Sequence, residues 1–118
     1  MSLTFTIVQR QPVFEVEIRG LALLGRADEL LASISAATRQ AKASLLLMNL
    51  MEVVGTLANH DHAYLGHLLV AHLRHLRRIA TVVPQEKITR ISEGAAAEGG
   101  LLLRVFADRQ LAREWLLS

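Results

Sequence analysis

All five histidines of the chain fall in one stretch, residues 59–76, which reads NHDHAYLGHLLVAHLRHL. Imidazoles gathered in this way could hold a metal ion or supply a catalytic base, and their spacing decides what they can do. On a helix each residue advances about 100°. Leu65, Leu69, Leu73 and Leu76 then share one direction, which must be the core side. His62 and His72 flank that arc. His60, Tyr64, His67 and Ala71 form the outward stripe, with His75 at its margin. No two histidines are four apart, and His72 and His75, three apart, are the only pair spaced to chelate; a third ligand would have to come from elsewhere. His67 and His75 lie about 12 Å apart along the axis, too far to share an ion. His60, Asp61 and His62 point in different directions on a helix. The stretch therefore reads as an amphipathic helix carrying surface and boundary histidines, and no bound metal is expected.

Nucleophilic catalysis needs a base beside the nucleophile and a third group to orient it. None of the serines (Ser2, Ser33, Ser35, Ser44, Ser92, Ser118) stands in a G-x-S-x-G turn, and there is no phosphate-binding glycine loop and no H-E-x-x-H. A histidine base oriented by Asp61 is formally possible, but no partner for it can be named. The chain is read as a non-enzyme with no cofactor.

The elements that must carry these residues follow from composition and pattern. Half of the 118 residues are hydrophobic and a fifth are charged, as in a single folded domain spanning residues 1–118. The net charge is only +2, and the one basic cluster is Arg74, Arg77 and Arg78, so a nucleic-acid partner is not expected. There is no cysteine, which removes disulfides and thiolate chemistry and suits a reducing compartment. The opening MSLTFTIVQRQ does not resemble a signal peptide. The longest apolar run, SLLLMNLMEVVG, is too short to span a bilayer. A cytoplasmic, soluble protein without stable membrane insertion is expected.

LTFTIVQ and VFEVEIRG alternate like strands, with Gln11-Pro12 between them and Gly20 ending the second. RADELLASISAATRQA places Ala27, Leu30, Leu31, Ile34, Ala37 and Ala41 at helical spacing, with Arg26, Glu29, Ser33 and Arg39 on the wet side. SLLLMNL is a continuous apolar run, suited to a strand covered on both faces. The histidine helix, capped by Asn59 or Asp61, should run to about Leu76. RIATVV is a further strand and KITRISEGAAAE a helix ended by Gly99-Gly100. LLLRVF is the last strand. Asp108 then caps a final helix with Leu111, Ala112, Trp115 and Leu116 on its inner face. The order ββαβαβαβα predicts an α/β domain: a mostly parallel sheet of about five strands with about four helices. The place of the first strand in the sheet is left open by the sequence.

This element order, the short apolar third strand and the ending RVFADRQLAREWLLS resemble the SpoIIAA-like group of the STAS superfamily, the fold of anti-sigma factor antagonists. VVGTLANHDHAYLG and ITRISEGAAAEGGLLLRVF are similar to an uncharacterised branch of that group, and the resemblance covers nearly the whole chain. It implies a regulatory, protein-binding domain. In switchable antagonists an Asp-Ser-x-Gly motif opens the helix after the third strand, and its serine accepts a phosphate from a partner kinase. Here Leu57-Ala58-Asn59-His60 stands at that place, with Ala58 near the acceptor position and Thr56 the nearest hydroxyl. The resemblance therefore implies the scaffold without the usual phosphoacceptor serine.

Ligands of open α/β sheets sit beyond the carboxyl ends of the strands. Here the loops expected there are residues 21–25, 51–59, 84–86 and 107–108, and two of them, LALLG and MEVVGTL, are unusually apolar. Their side chains either fold back as lids on the core or form a rim that meets a protein partner or an apolar ligand. The SpoIIAA-like group is also similar in fold to lipid-binding CRAL-TRIO modules, which makes a small lipid-like ligand the second reading. The candidate surface is Leu21, Leu23, Leu24, Val54, Thr56, Leu57, Asn59, Tyr64 and His67. A homodimer is expected to join LALLG to the helix start near Leu57, Tyr64 and His67, with Val70 adding to the exposed apolar surface. A cavity under the histidine helix would favour the ligand; a closed core with an exposed rim would favour the protein partner.

Overall fold

Residues 3–118 are described by a computed structural model of the chain. The alternating segments become strands β1 (Thr4–Gln9) and β2 (Phe14–Leu21), paired antiparallel with Phe5 opposite Ile18 and Ile7 opposite Val16. Strands β3 (Leu45–Val54), β4 (Arg78–Val82) and β5 (Leu103–Phe106) add in sequence order, each parallel to the last. The sheet order is β1-β2-β3-β4-β5, so the sheet is mixed and β1 forms one edge.

Helices α1 (Leu24–Gln40), α2 (Asn59–Leu73) and α3 (Ile91–Glu98) join successive parallel strands, and α4 (Arg109–Leu117) closes the chain. Every crossover steps one strand in the same direction. With right-handed connections, all three crossover helices must then lie on one face. That face holds the larger core: Phe14, Val16, Ile18, Leu46, Met48 and Ile79 pack beneath Leu31 and Ile34 of α1 and Leu69 and Leu73 of α2. The opposite face falls to α4, whose Ala112 and Leu116 cover Val13, Leu45, Leu47, Ala80 and Val82. Strands buried on both sides require continuous apolar runs, which is why LLLM of β3 carries no polar residue.

Side chains occupy part of the β5 edge, at Val105. Glu93 accepts a 2.7 Å hydrogen bond from the Val105 N–H, and Arg90 donates to the Val105 carbonyl at 3.1 Å while pairing with Glu93 at 2.6 Å. These contacts occupy backbone groups that an edge strand would otherwise offer to another chain.

Several expectations are corrected. LALLG and MEVVGTL are not long loops. Leu21 ends β2, Leu24 and Gly25 open α1, and residues 51–54 continue β3, because Gly20 and Leu21 keep pairing with Val53 and Val54. Helix α2 stops at Leu73 rather than near Leu76, and this turns His75 inward instead of leaving it on the outward margin. Val70, expected on the exposed surface, is buried. The cause lies in Gly66 and Gly99. A Cβ on Gly66 would stand 2.6 Å from the Ala95 Cβ, and one on Gly99 would stand 2.7 Å from Val70. The two glycines let α2 and α3 approach closely, so α2 rolls toward α3 and takes Val70 with it. On α4, Leu111 is exposed, not inner, and Trp115 lies half-buried at the rim against Phe106 and Arg78. The segment expected to be one helix from Lys87 is a short 3-10 turn, Gln85–Lys87, followed by α3.

Candidate functional site

With α2 drawn tightly onto α3, the looser seam of the helical layer lies between α1 and α2. A cavity of about 380 Å³ opens there, over the sheet and toward the carboxyl ends of the parallel strands. That volume suits a small molecule, since such sites run about 300–1,000 Å³. Its floor is laid by the parallel strands, with Ile18, Met48, Thr81 and Val105 crossing it, the last three in direct register. Leu24, Ala27 and Leu31 form one wall and His62, Leu65 and Leu69 the other. Polar side chains gather at the mouth, where Thr56, Asn59, Glu86, Lys87, Thr89 and Ser92 come from the segments that follow β3 and β4.

Local geometry accounts for the mouth. Between the Glu17–Asn49 and Arg19–Glu52 pairs, β3 carries one residue more than β2. Such a bulge re-aims the side chains that follow it, and it brings Leu50 and then Val53 onto the cavity side. Gly55 then takes φ +110°, a conformation that side chains resist, as the chain leaves the strand against Ala22. Helix α2 begins after Ala58, whose N–H donates to the Asp61 carboxylate at 3.2 Å. Lys87 is half-buried, and its Nζ donates to the Val53 carbonyl at 3.2 Å across the mouth.

The histidines separate. His60 lies beside Asp61 at 3.3 Å, His62 faces the cavity, and His67 is exposed. His72 meets Asp28 of α1 at 2.6 Å. His75 Nε2 meets the Thr38 hydroxyl at 2.9 Å, while that hydroxyl donates to the Ile34 carbonyl at 2.9 Å. A hydroxyl has one proton to give, and the Ser35 carbonyl also lies 3.0 Å from it; with that proton on either carbonyl, a neutral His75 donates through Nε2 and holds Nδ1 as an acceptor. Nδ1 is buried and has no partner. Burial, and then the nearby Arg39 charge, hold the His75 pKa below the ordinary imidazole value. Among the described residues no group of three or more acidic or histidine side chains is placed to hold a metal ion.

Of the candidate residues, Leu23, Leu24, Thr56, Leu57 and Asn59 all line the cavity. Leu21 and Val54 pair across the ends of β2 and β3 and remain exposed beside the mouth. Tyr64 and His67 lie on the outer surface of α2 and do not join the others. Sequence reasoning missed Lys87, Thr81 and the floor. In the sequence the floor residues are indistinguishable from strand core, and only Thr81, a polar residue inside the apolar run RIATVV, carries a signal.

No protein-family model and no curated protein sequence matches the chain. Solved structures do. An anti-sigma factor antagonist from Mycobacterium paratuberculosis is similar at a TM-score of 0.67 and 17% identity, covering 99% of this chain and 96% of that one. An uncharacterised DUF3478-family protein with a SpoIIAA-like fold, from Shewanella loihica PV-4, is similar at a TM-score of 0.55 and 18% identity, covering 98% and 93%. The fold is SpoIIAA-like. On this SpoIIAA-like frame, Ala58 stands immediately before α2 and Thr56 is exposed in the loop ahead of it. Among the described residues no helix is long and apolar enough to cross a membrane.

Proposed function

We propose that this chain is a non-enzymatic, STAS-like regulatory domain whose signal is a small apolar molecule held in the cavity between α1 and α2. The cavity carries the reading: it is lined mostly by Leu, Ile, Met and Val side chains, opens where α/β sheets bind ligands, and keeps Glu86 and Lys87 at the mouth. Leu21, Leu23 and Val54 surround that mouth and are exposed. A protein partner, or a second copy of the chain, would read the loaded state through them. Regulation through a phosphoacceptor serine does not enter, because Ala58 has no hydroxyl. A cytoplasmic setting belongs to the same reading and rests on the cysteine-free sequence.

The test is extraction. Protein purified without a tag from its own cells is denatured, and the released small molecules are identified by mass spectrometry beside an Ala27→Phe variant that fills the seam. An apolar molecule released from the parent and missing from the variant is expected. If neither protein releases one, and the parent binds no apolar molecule in calorimetric titration, the ligand reading fails. The domain would then act through its surface alone.

A further inference from the structure

Resting on the ligand reading above, we infer that the cavity takes a single-chain anionic amphiphile, a monocarboxylate of medium chain length, with its head on Lys87 and its tail across the sheet. The shape of the polar lining leads there. The floor from Ile18 to Val105 crosses three inter-strand steps, roughly 14 Å, about the length of an extended decanoyl chain. Except for Thr81 that floor is hydrocarbon, whereas the mouth is polar. A ligand with one long apolar part and one polar end fits this division. A wholly apolar molecule would leave the mouth groups unused.

The sign of the head follows from the charges at the mouth. Lys87 and Glu86 are the one lysine and the one acidic residue of the lining, and they are not equivalent. Lys87 is half-buried and tethered by Val53, and one hydrogen bond leaves two of its three donors to spend. Glu86 is exposed, so its charge is largely screened by water. Asp61 already occupies the backbone at the start of α2, leaving Lys87 as the cation available to an incoming anion. One tethered ammonium beside one exposed carboxylate suits a single negative charge better than a doubly charged phosphate head.

The experiment is calorimetric titration of the whole chain with decanoate, decanol and decyl phosphate, repeated on Lys87→Gln and on Ala27→Phe. Glutamine still offers Val53 a donor, so the mouth keeps its shape. Decanoate is expected to bind the parent at least ten-fold more tightly than decanol, and no more weakly than decyl phosphate. Lys87→Gln should remove the advantage of decanoate over decanol while leaving decanol binding unchanged, and Ala27→Phe should abolish both. Equal binding of decanoate and decanol, indifferent to Lys87→Gln, overturns the head-group inference and leaves the apolar cavity standing. Decyl phosphate bound ten-fold more tightly than decanoate overturns the monocarboxylate in favour of a phosphate head. Binding by none of the three overturns the ligand reading itself.

Discussion

Glu15 of β2 and Arg109 of α4, ninety-four residues apart, form a two-point ion pair in which Nε and Nη2 each donate at 2.6 Å. Glu15 is 2% exposed and lies on the α4 side of the sheet, beside the apolar cluster of Val13, Leu45, Leu47, Ala112 and Leu116. Arg113, one turn further along α4, reaches the same carboxylate at 3.4 Å and Gln9 at 3.2 Å. A buried carboxylate is costly unless paired, so this pair fixes both where α4 docks and in which register.

Removing Arg109 should therefore loosen α4. The Arg109 side chain is 45% exposed and Arg113 remains, so the loss falls below that of a fully buried pair. Arg109→Ala should cost about 2 kcal/mol, read as a lower urea midpoint. Trp115 rides on the same helix, and its fluorescence should shift red in the native baseline. A midpoint within error of the parent would mean that Glu15 does not depend on this partner.

The approach of α2 to α3 predicts a steric penalty at Gly66. Alanine favours a helix over glycine by about 1 kcal/mol. Here the added methyl meets the Ala95 Cβ at 2.6 Å and the Ser92 carbonyl at 2.8 Å, and the latter is backbone that cannot swing aside. Overpacking of this kind costs about 1–3 kcal/mol, so Gly66→Ala should destabilise by roughly 1 kcal/mol net. Adding Ala95→Gly should recover part of the loss. A more stable Gly66→Ala protein would show that the two helices can separate freely.

Acid should weaken the fold through His75. Its native pKa is lowered by burial and by Arg39, so at mildly acidic pH the unfolded chain binds a proton that the folded chain refuses. The contribution is intact above the ordinary imidazole value near 6.5 and is lost as pH falls below it toward the depressed native value. His75→Gln keeps a donor for Thr38 and cannot titrate. Urea midpoints compared between pH 7.5 and 5.5 should fall more for the parent than for the variant; equal falls would remove His75 as the cause.

Self-association is expected through the exposed rim. Leu21, Leu23 and Val54 at the mouth and Tyr64 on α2 are all more than a third exposed, and apolar surface of this kind favours a symmetric dimer. Light scattering should give a dimeric mass that Val54→Asp converts to a monomer. A monomeric parent at high concentration refutes this; Val70 takes no part, since it is buried.

Much of the frame is readable in the residues themselves, because periodicity reports burial directly. Ala27, Leu31 and Ile34 of α1 stand at helical spacing and are buried as the pattern requires. The side-chain oxygen of Asp108 accepts from Leu111 N–H at 3.0 Å, so it caps α4 as expected. The pattern misleads where burial has another cause. Gly66 contributes nothing to a hydropathy pattern, yet its missing side chain decides how α2 rolls, and with it the fate of Val70. The apolar residues of MEVVGTL look like a loop only because their pairing partners, Gly20 and Leu21, are more than thirty positions earlier. A cavity is harder still to read. The residues around it are ordinary core residues, and the empty space depends on which pair of helices closes first. Lys87 reaches Val53 through tertiary structure alone, across thirty-four positions.

The Arg90 and Glu93 contacts at Val105 also bear on how molecules can join by strand pairing. A sheet with two open edges can add copies without limit, as fibrils do. Among the described residues, the longer run of open edge backbone lies along β1, Thr4–Gln9, since Val105 on the short β5 edge is already bonded. Pairing there would be edge to matching edge about a two-fold axis, and it would consume that longer edge of each molecule. By that route, β1 to β1, the domain is monovalent and stops at a pair.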